Sequence, residues 1–81
     1  YKLQMEVSDS IAAQMAAGEE RVVGVMVESH IVEGRQDLSP DKPLTYGQSI
    51  TDACINWEDS LKVLDQLAAA VRARRVAEAA E

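Results

Sequence analysis

The chain has one cysteine, one histidine, one tryptophan, two prolines and no phenylalanine. A lone cysteine, Cys54, excludes an internal disulfide and suits a reducing cytoplasm. Aromatic residues make up only 4% of the chain, so any core must rest on aliphatic side chains and alanine. No apolar run approaches the ~20 residues of a membrane-spanning helix. No secretory signal is readable either. Cations are scarce: eight Lys and Arg stand against fourteen Asp and Glu, a net charge of −6. That balance argues against nucleic acid or an anionic membrane as a partner. Arg72, Arg74 and Arg75 cluster near the C-terminus, where basic side chains suit the end of a helix dipole. A chain of 81 residues holds one small domain with a marginal core.

Within that domain, Leu3, Val7, Ile11 and Met15 recur every four residues, and Met5 and Ala12 widen the same face. This spacing predicts an amphipathic helix over residues 1–18, closed by Gly18. No capping residue precedes it, so the helix reads as cut off at its start. Val22 to Val27 is apolar without alternation. Such a run fits a parallel strand, over 22–28, with both faces covered by helices. A short unit struggles to bury both faces, which points to a segment of something larger. Residues 31–48 hold Gly34, Pro40, Pro43 and Gly47 among polar neighbours, and read as a long loop. Loops of that length without structure are commonly functional or disordered. Ile50 to Ile55 reads as a second strand, with Asp52 and Cys54 on one side. Asn56 then suits an N-cap, and Glu58 and Asp59 suit a first helical turn. Trp57, Leu61, Leu64, Leu67 or Ala68, and Val71 form the apolar stripe of a second helix over 57–75. Residues 76–81 read as a fraying tail. Trp57 reads as core, and Met5, Met15 and Met26 as packing residues.

Two carboxylates stand out. Glu28 ends the first apolar run, and a charge there is costly unless it is paired or holds a metal. A ligand or catalytic role and a salt bridge both fit. Asp52 lies inside the second strand, where Asp is disfavoured. Besides a functional role, it could cap the loop or pair with Arg35.

The run VMVESHIVEGRQDL…PLTYGQSITDACINWEDS, from Val25 to Ser60, closely resembles the C-terminal end of the class I, metal-dependent DAHP (3-deoxy-D-arabino-heptulosonate 7-phosphate) synthases. The resemblance extends over nearly the whole chain and fades in the last residues. It implies an α/β fold: the C-terminal quarter of a TIM (β/α)8 barrel, built as helix, strand, long loop, strand and helix with parallel strands. A whole barrel takes roughly 250 residues. The resemblance also implies an activity for the parent protein, a transferase of aromatic amino-acid biosynthesis and the shikimate pathway. That enzyme condenses phosphoenolpyruvate with erythrose 4-phosphate to give DAHP and phosphate. Its divalent metal, Mn, Fe or Co, is held by a cysteine, a histidine, a glutamate and an aspartate. The glutamate of the VESH motif is Glu28 here, and the aspartate of the SITDAC motif is Asp52. Asp52 is also the ligand nearest the aldehyde, hence the catalytic candidate.

The family's ligand cysteine and histidine belong to earlier strands, so Cys54 and His30 are not those residues. Cys54 reads either as a small buried hydrophobe or as a thiol beside the metal. His30 reads either as a polar wall of the pocket, hydrogen-bonded to a metal ligand, or as a surface loop residue. From Val22 to Ser60 only Arg35 and Lys42 oppose seven acids. The phosphate-binding cations that both substrates demand are therefore missing. The isolated chain is expected to be inactive, to bind metal weakly and to form a homo-oligomer, most simply a dimer. The rival expectation is a small helical dimerisation module with no metal and no catalysis.

Overall fold

The computed structural model describes residues 1–80. Its elements follow in the order α1 (Leu3–Ala16), β1 (Val32–Arg35), β2 (Gln48–Ser49) and α2 (Trp57–Ala80). The first helix has no side-chain cap at its start. It stops where Gly18 takes φ 108°, a left-handed conformation that glycine adopts without a side-chain clash. The N–H of Gly18 then donates to Met15 O and that of Glu19 to Gln14 O, both at 3.0 Å. This pair of bonds satisfies carbonyls that the helix end would otherwise leave open. The second helix starts at Asn56, whose Oδ1 accepts the Asp59 N–H at 2.8 Å. It does not fray at residue 76 but continues to Ala80. Alanine and glutamate favour helix, and Arg74 lies 4.0 Å from Glu78, four residues on. Glu81, the last residue of the expected tail, lies outside the described residues.

The helices run in the same direction. Ser8 meets Gln66 at one end of the contact, and Glu19 O meets Arg74 at the other. Between them, Ala12, Met15 and Ala70 form the core with Ile11, Val22, Leu67 and Val71 against it. The buried line of α1 is Ser8, Ala12 and Met15, and that of α2 includes Ser60, Val63 and Ala70. Four of these six, Ser8, Ala12, Ser60 and Ala70, are small and allow close backbone approach. The expected apolar stripes are therefore only partly buried. Leu3 is 70% exposed and Val7 55%, and Trp57, expected in the core, is 54% exposed. Leu61 and Leu64 are likewise exposed, and Met26 is no packing residue at 92%. Those side chains lie on faces the small-residue seam leaves uncovered.

The strand expected over 22–28 does not form. Only Ser29 pairs, in a parallel bridge to Ile55. A strand requires a neighbour, and side chains of the helices take that part here. Arg74 Nη1 donates to Glu19 O at 3.1 Å and Val22 O at 2.8 Å. Gln4 brackets Glu28: its Nε2 donates to Glu28 O at 2.9 Å, and its Oε1 accepts Glu28 N–H at 2.7 Å.

The loop expected over 31–48 is not structureless. It holds β1 and the start of β2, which pair in parallel with Val32 opposite Gln48 and Arg35 opposite Ser49. The strand expected over 50–55 is instead a bend at residues 50–52 followed by two bridge residues, Cys54 and Ile55. The amides of His30, Val32, Gly34 and Gln36 donate in turn to Ile55, Gly47, Cys54 and Ser49. Every second N–H from 30 to 36 thus finds a carbonyl within 47–55. That interlacing departs from a regular ladder because Gly34 and Gly47 take φ of 82° and 81°.

Candidate metal centre

The Ser29–Ile55 bridge brings the two carboxylate-bearing motifs together. Ile55 N–H donates to Glu28 O and His30 N–H to Ile55 O, both at 3.0 Å. Asp52 lies three residues before Ile55, at the bend that leads into it. Glu28 and Asp52 are both exposed. Among the described residues neither carboxylate enters a hydrogen bond or ion pair; their polar contacts run through backbone atoms. The alternative of an Asp52–Arg35 pair is not what forms. Arg35 Nη2 binds Asp37 Oδ1 at 2.9 Å, and its Nε donates to Thr51 O at 2.9 Å.

His30 is exposed. Its Nδ1 accepts the Ile31 N–H at 2.8 Å, so in the neutral ring the proton resides on Nε2. Cys54 is buried, at 8% exposure. Its thiol donates to Asp52 O at 3.4 Å, so it packs as a small hydrophobe while touching the bend that carries Asp52.

Carboxylate oxygens suit a hard divalent cation. Among the described residues, however, no three His, Cys, Asp or Glu side chains gather closely enough to hold one. One groove, of 210 Å³, has neither carboxylate in its lining. It is lined by apolar side chains that include Leu3, Val7, Val25, Val27 and Val63. No helix among the described residues is long and apolar enough to cross a membrane.

Residues 1–65 match the sequence profile of the DAHP synthetase I family. The chain belongs to that family. It is 61% identical over 77 residues to the phospho-2-dehydro-3-deoxyheptonate aldolase of Haemophilus influenzae, covering 95% of this chain and 21% of that protein. It is 57% identical over 75 residues to the Phe-sensitive aldolase of the same name from Escherichia coli K12, covering 93% of this chain and 21% of that one. Among solved structures, the phospho-2-dehydro-3-deoxyheptonate aldolase of Francisella tularensis SCHU S4 superposes with a TM-score of 0.81 at 45% identity, over 88% of this chain and 20% of that one. The chain thus spans about a fifth of the length of the curated relatives it matches. Membership of an enzyme family weighs against a stand-alone helical module.

Sequence reasoning missed two supporting residues, Gln4, which brackets the Glu28 backbone, and Gln36, which binds the backbone before Asp52. Arg35 is expected as a partner of the Asp52 carboxylate and instead binds the Thr51 carbonyl. A glutamine flanked by Leu3 and Met5 at the start of an apolar stripe is a signal that could have flagged Gln4. Nothing in composition marks Gln36.

Proposed function

We propose that this chain is the C-terminal quarter of a (β/α)8 barrel in a DAHP synthase, and that it supplies Glu28 and Asp52 to a divalent metal. The parent enzyme condenses phosphoenolpyruvate with erythrose 4-phosphate and releases phosphate. The observation that carries this reading is the backbone bridge between the VESH and SITDAC segments, which leaves both carboxylates unpartnered and free to bind an ion. The two parallel helices agree with it, since successive helices of a βα barrel share one direction.

Glu28 and Asp52 each present carboxylate oxygens. Gln4 fixes the backbone from which the first projects. Cys54 and Ile55 anchor the segment that follows the second. The bound ion, Mn, Fe or Co, supplies Lewis-acid chemistry at the aldehyde. Asp52 is the catalytic candidate, as the ligand nearest that aldehyde. His30, whose Nδ1 accepts the Ile31 N–H, would offer Nε2–H to a ligand. The remaining metal ligands and the phosphate-binding cations come from segments outside these 81 residues.

The test is substitution in the full-length polypeptide. Asp52→Asn and Glu28→Gln should each weaken metal binding and reduce turnover at least a hundredfold, with unchanged circular dichroism. Retained turnover in Asp52→Asn would remove it from the site. The isolated chain should show no synthase activity with added metal and both substrates.

A further inference from the structure

The geometry points to Arg35 and Gln36 as positioning residues that set the bend carrying Asp52. This rests on the reading of Asp52 as a metal ligand, and goes beyond it by naming what holds that ligand in place. Three consecutive residues of the 34–36 segment pin the chain on both sides of Asp52. After it in the chain, Gly34 and Cys54 exchange backbone bonds of 2.7 and 3.1 Å. Before it, Arg35 Nε holds the Thr51 carbonyl at 2.9 Å. Earlier still, the Gln36 N–H holds Ser49 O at 2.8 Å. The Gln36 side chain makes three more bonds. Its Nε2 donates to Thr45 O at 2.8 Å and to Gln48 O at 2.9 Å, and its Oε1 accepts Thr45 N–H at 2.8 Å.

Asp52 therefore sits between two anchored points, Thr51 O and Cys54 N–H, while its own carboxylate has no partner among the described residues. Ser49 Oγ, accepting Thr51 N–H at 3.1 Å, tightens the same bend. Arg35 would be expected to capture a neighbouring carboxylate such as Asp52. It does not, because Nε is committed to the Thr51 carbonyl and Nη2 to Asp37. One guanidinium thus orients the segment and leaves the ligand free. A metal ligand must be held to a fraction of an ångström to bind well, and polar partners that orient ligands commonly change metal affinity 10–100-fold when lost.

The experiment measures Co²⁺ affinity by chelator competition, the cobalt absorption spectrum, and amide exchange, all in the full-length polypeptide. Gln36→Ala and Arg35→Ala should each weaken Co²⁺ binding at least tenfold and alter the absorption bands. Gln36→Glu keeps the side-chain size but removes both donors, and should behave like Gln36→Ala. Arg35→Lys retains a donor and should bind within a few-fold of the native protein. Peptides covering residues 44–49 should exchange faster in the Gln36 variants, since Thr45 N–H loses its acceptor in Gln36→Ala and the strand loses its tie in Gln36→Glu. Ser8→Ala, which removes a helix–helix bond remote from the bend, should leave the cobalt spectrum unchanged and so separates positioning from general stability. If Asp52→Asn abolishes binding while the Arg35 and Gln36 variants keep native affinity and spectrum, the positioning role is overturned and the ligand reading stands. If Asp52→Asn itself leaves binding intact, both fall.

Discussion

Asn56 shows how much one side chain decides. It turns the chain from the bridge residues Cys54 and Ile55 into α2, and its Oδ1 accepts the Asp59 N–H. Asn56→Ala should cost about 1 kcal/mol, the usual effect of losing an N-cap, read as a shift in the urea midpoint. Asn56→Asp should keep the cap. Glu19 offers a second case, just past α1. Hydrogen bonds from the Arg21 side chain and backbone hold its carboxyl at about 2, against an ordinary 4.5. Because the folded value lies below the unfolded one, the stabilisation is present above pH 4.5 and is lost as pH falls towards 2. Glu19→Gln should flatten the dependence of melting temperature on pH across that window. An effect appearing only above pH 5 would contradict the assignment. Arg21 is exposed and Glu19 only half-buried, so solvent screens the pair and the effect should be small and weaken with salt.

At the scale of elements, the link between β1 and β2 depends on a turn that only glycine fits easily. Gly47 has φ 81°, and a Cβ there would lie 3.0 Å from Ile31 Cβ. Gly47→Ala should therefore destabilise by roughly 1–3 kcal/mol through backbone strain, with further loss from the contact with Ile31. Thermal unfolding would show it, and an unchanged melting temperature would mean the turn relaxes freely. The helices, the Gly18 stop and the Asn56 cap were legible in the sequence because they rest on local signals: periodicity, a glycine at a helix end and a capping side chain before an acidic first turn. The strands were not. An unbroken apolar run marked 22–28 as strand, yet pairing is a non-local property, and that stretch has no partner strand among the described residues. The polar loop concealed β1 for the opposite reason. Gln36 and Gln48 look like surface residues until their amides are seen bonded to Thr45, Gln48 and Glu33 backbone carbonyls. Arg35 was weighed as a partner for Asp52, but a sequence cannot show which carbonyl a guanidinium will choose. The helix face was only partly legible. Ala12 and Met15 of the expected stripe are buried and Ile11 packs against them, whereas Leu3 and Val7 are exposed and Ser8, beside the stripe, is buried.

At the scale of the whole molecule, the shape is wrong for a self-sufficient domain. The radius of gyration is 16.3 Å, against about 12 Å for a compact chain of this length. The accessible surface is 5973 Å², where a compact monomer of this mass exposes about 4,800 Å². The difference, about 1,200 Å², exceeds the ~800 Å² that each partner contributes to a standard interface. Large apolar side chains are among the exposed residues: Val25 is 46% exposed, Ile50 44%, Leu64 57% and Leu3 70%. Exposed apolar surface beyond what soluble monomers normally carry marks a contact surface. The isolated chain should therefore self-associate, most simply as a symmetric dimer in which these side chains face a second copy. The net charge of −6 opposes this through long-range repulsion, which 0.15 M salt screens beyond about 8 Å. Added salt should thus strengthen the assembly, as apolar association requires and an ion-paired interface would not. Sedimentation equilibrium at micromolar concentration should give a mass above 8.8 kDa. Leu3→Glu with Leu64→Glu should shift it towards monomer without loss of helicity. A well-folded monomer in the unsubstituted chain would refute the prediction, and would mean that α1 and α2 close over the Val22–Val27 segment in solution.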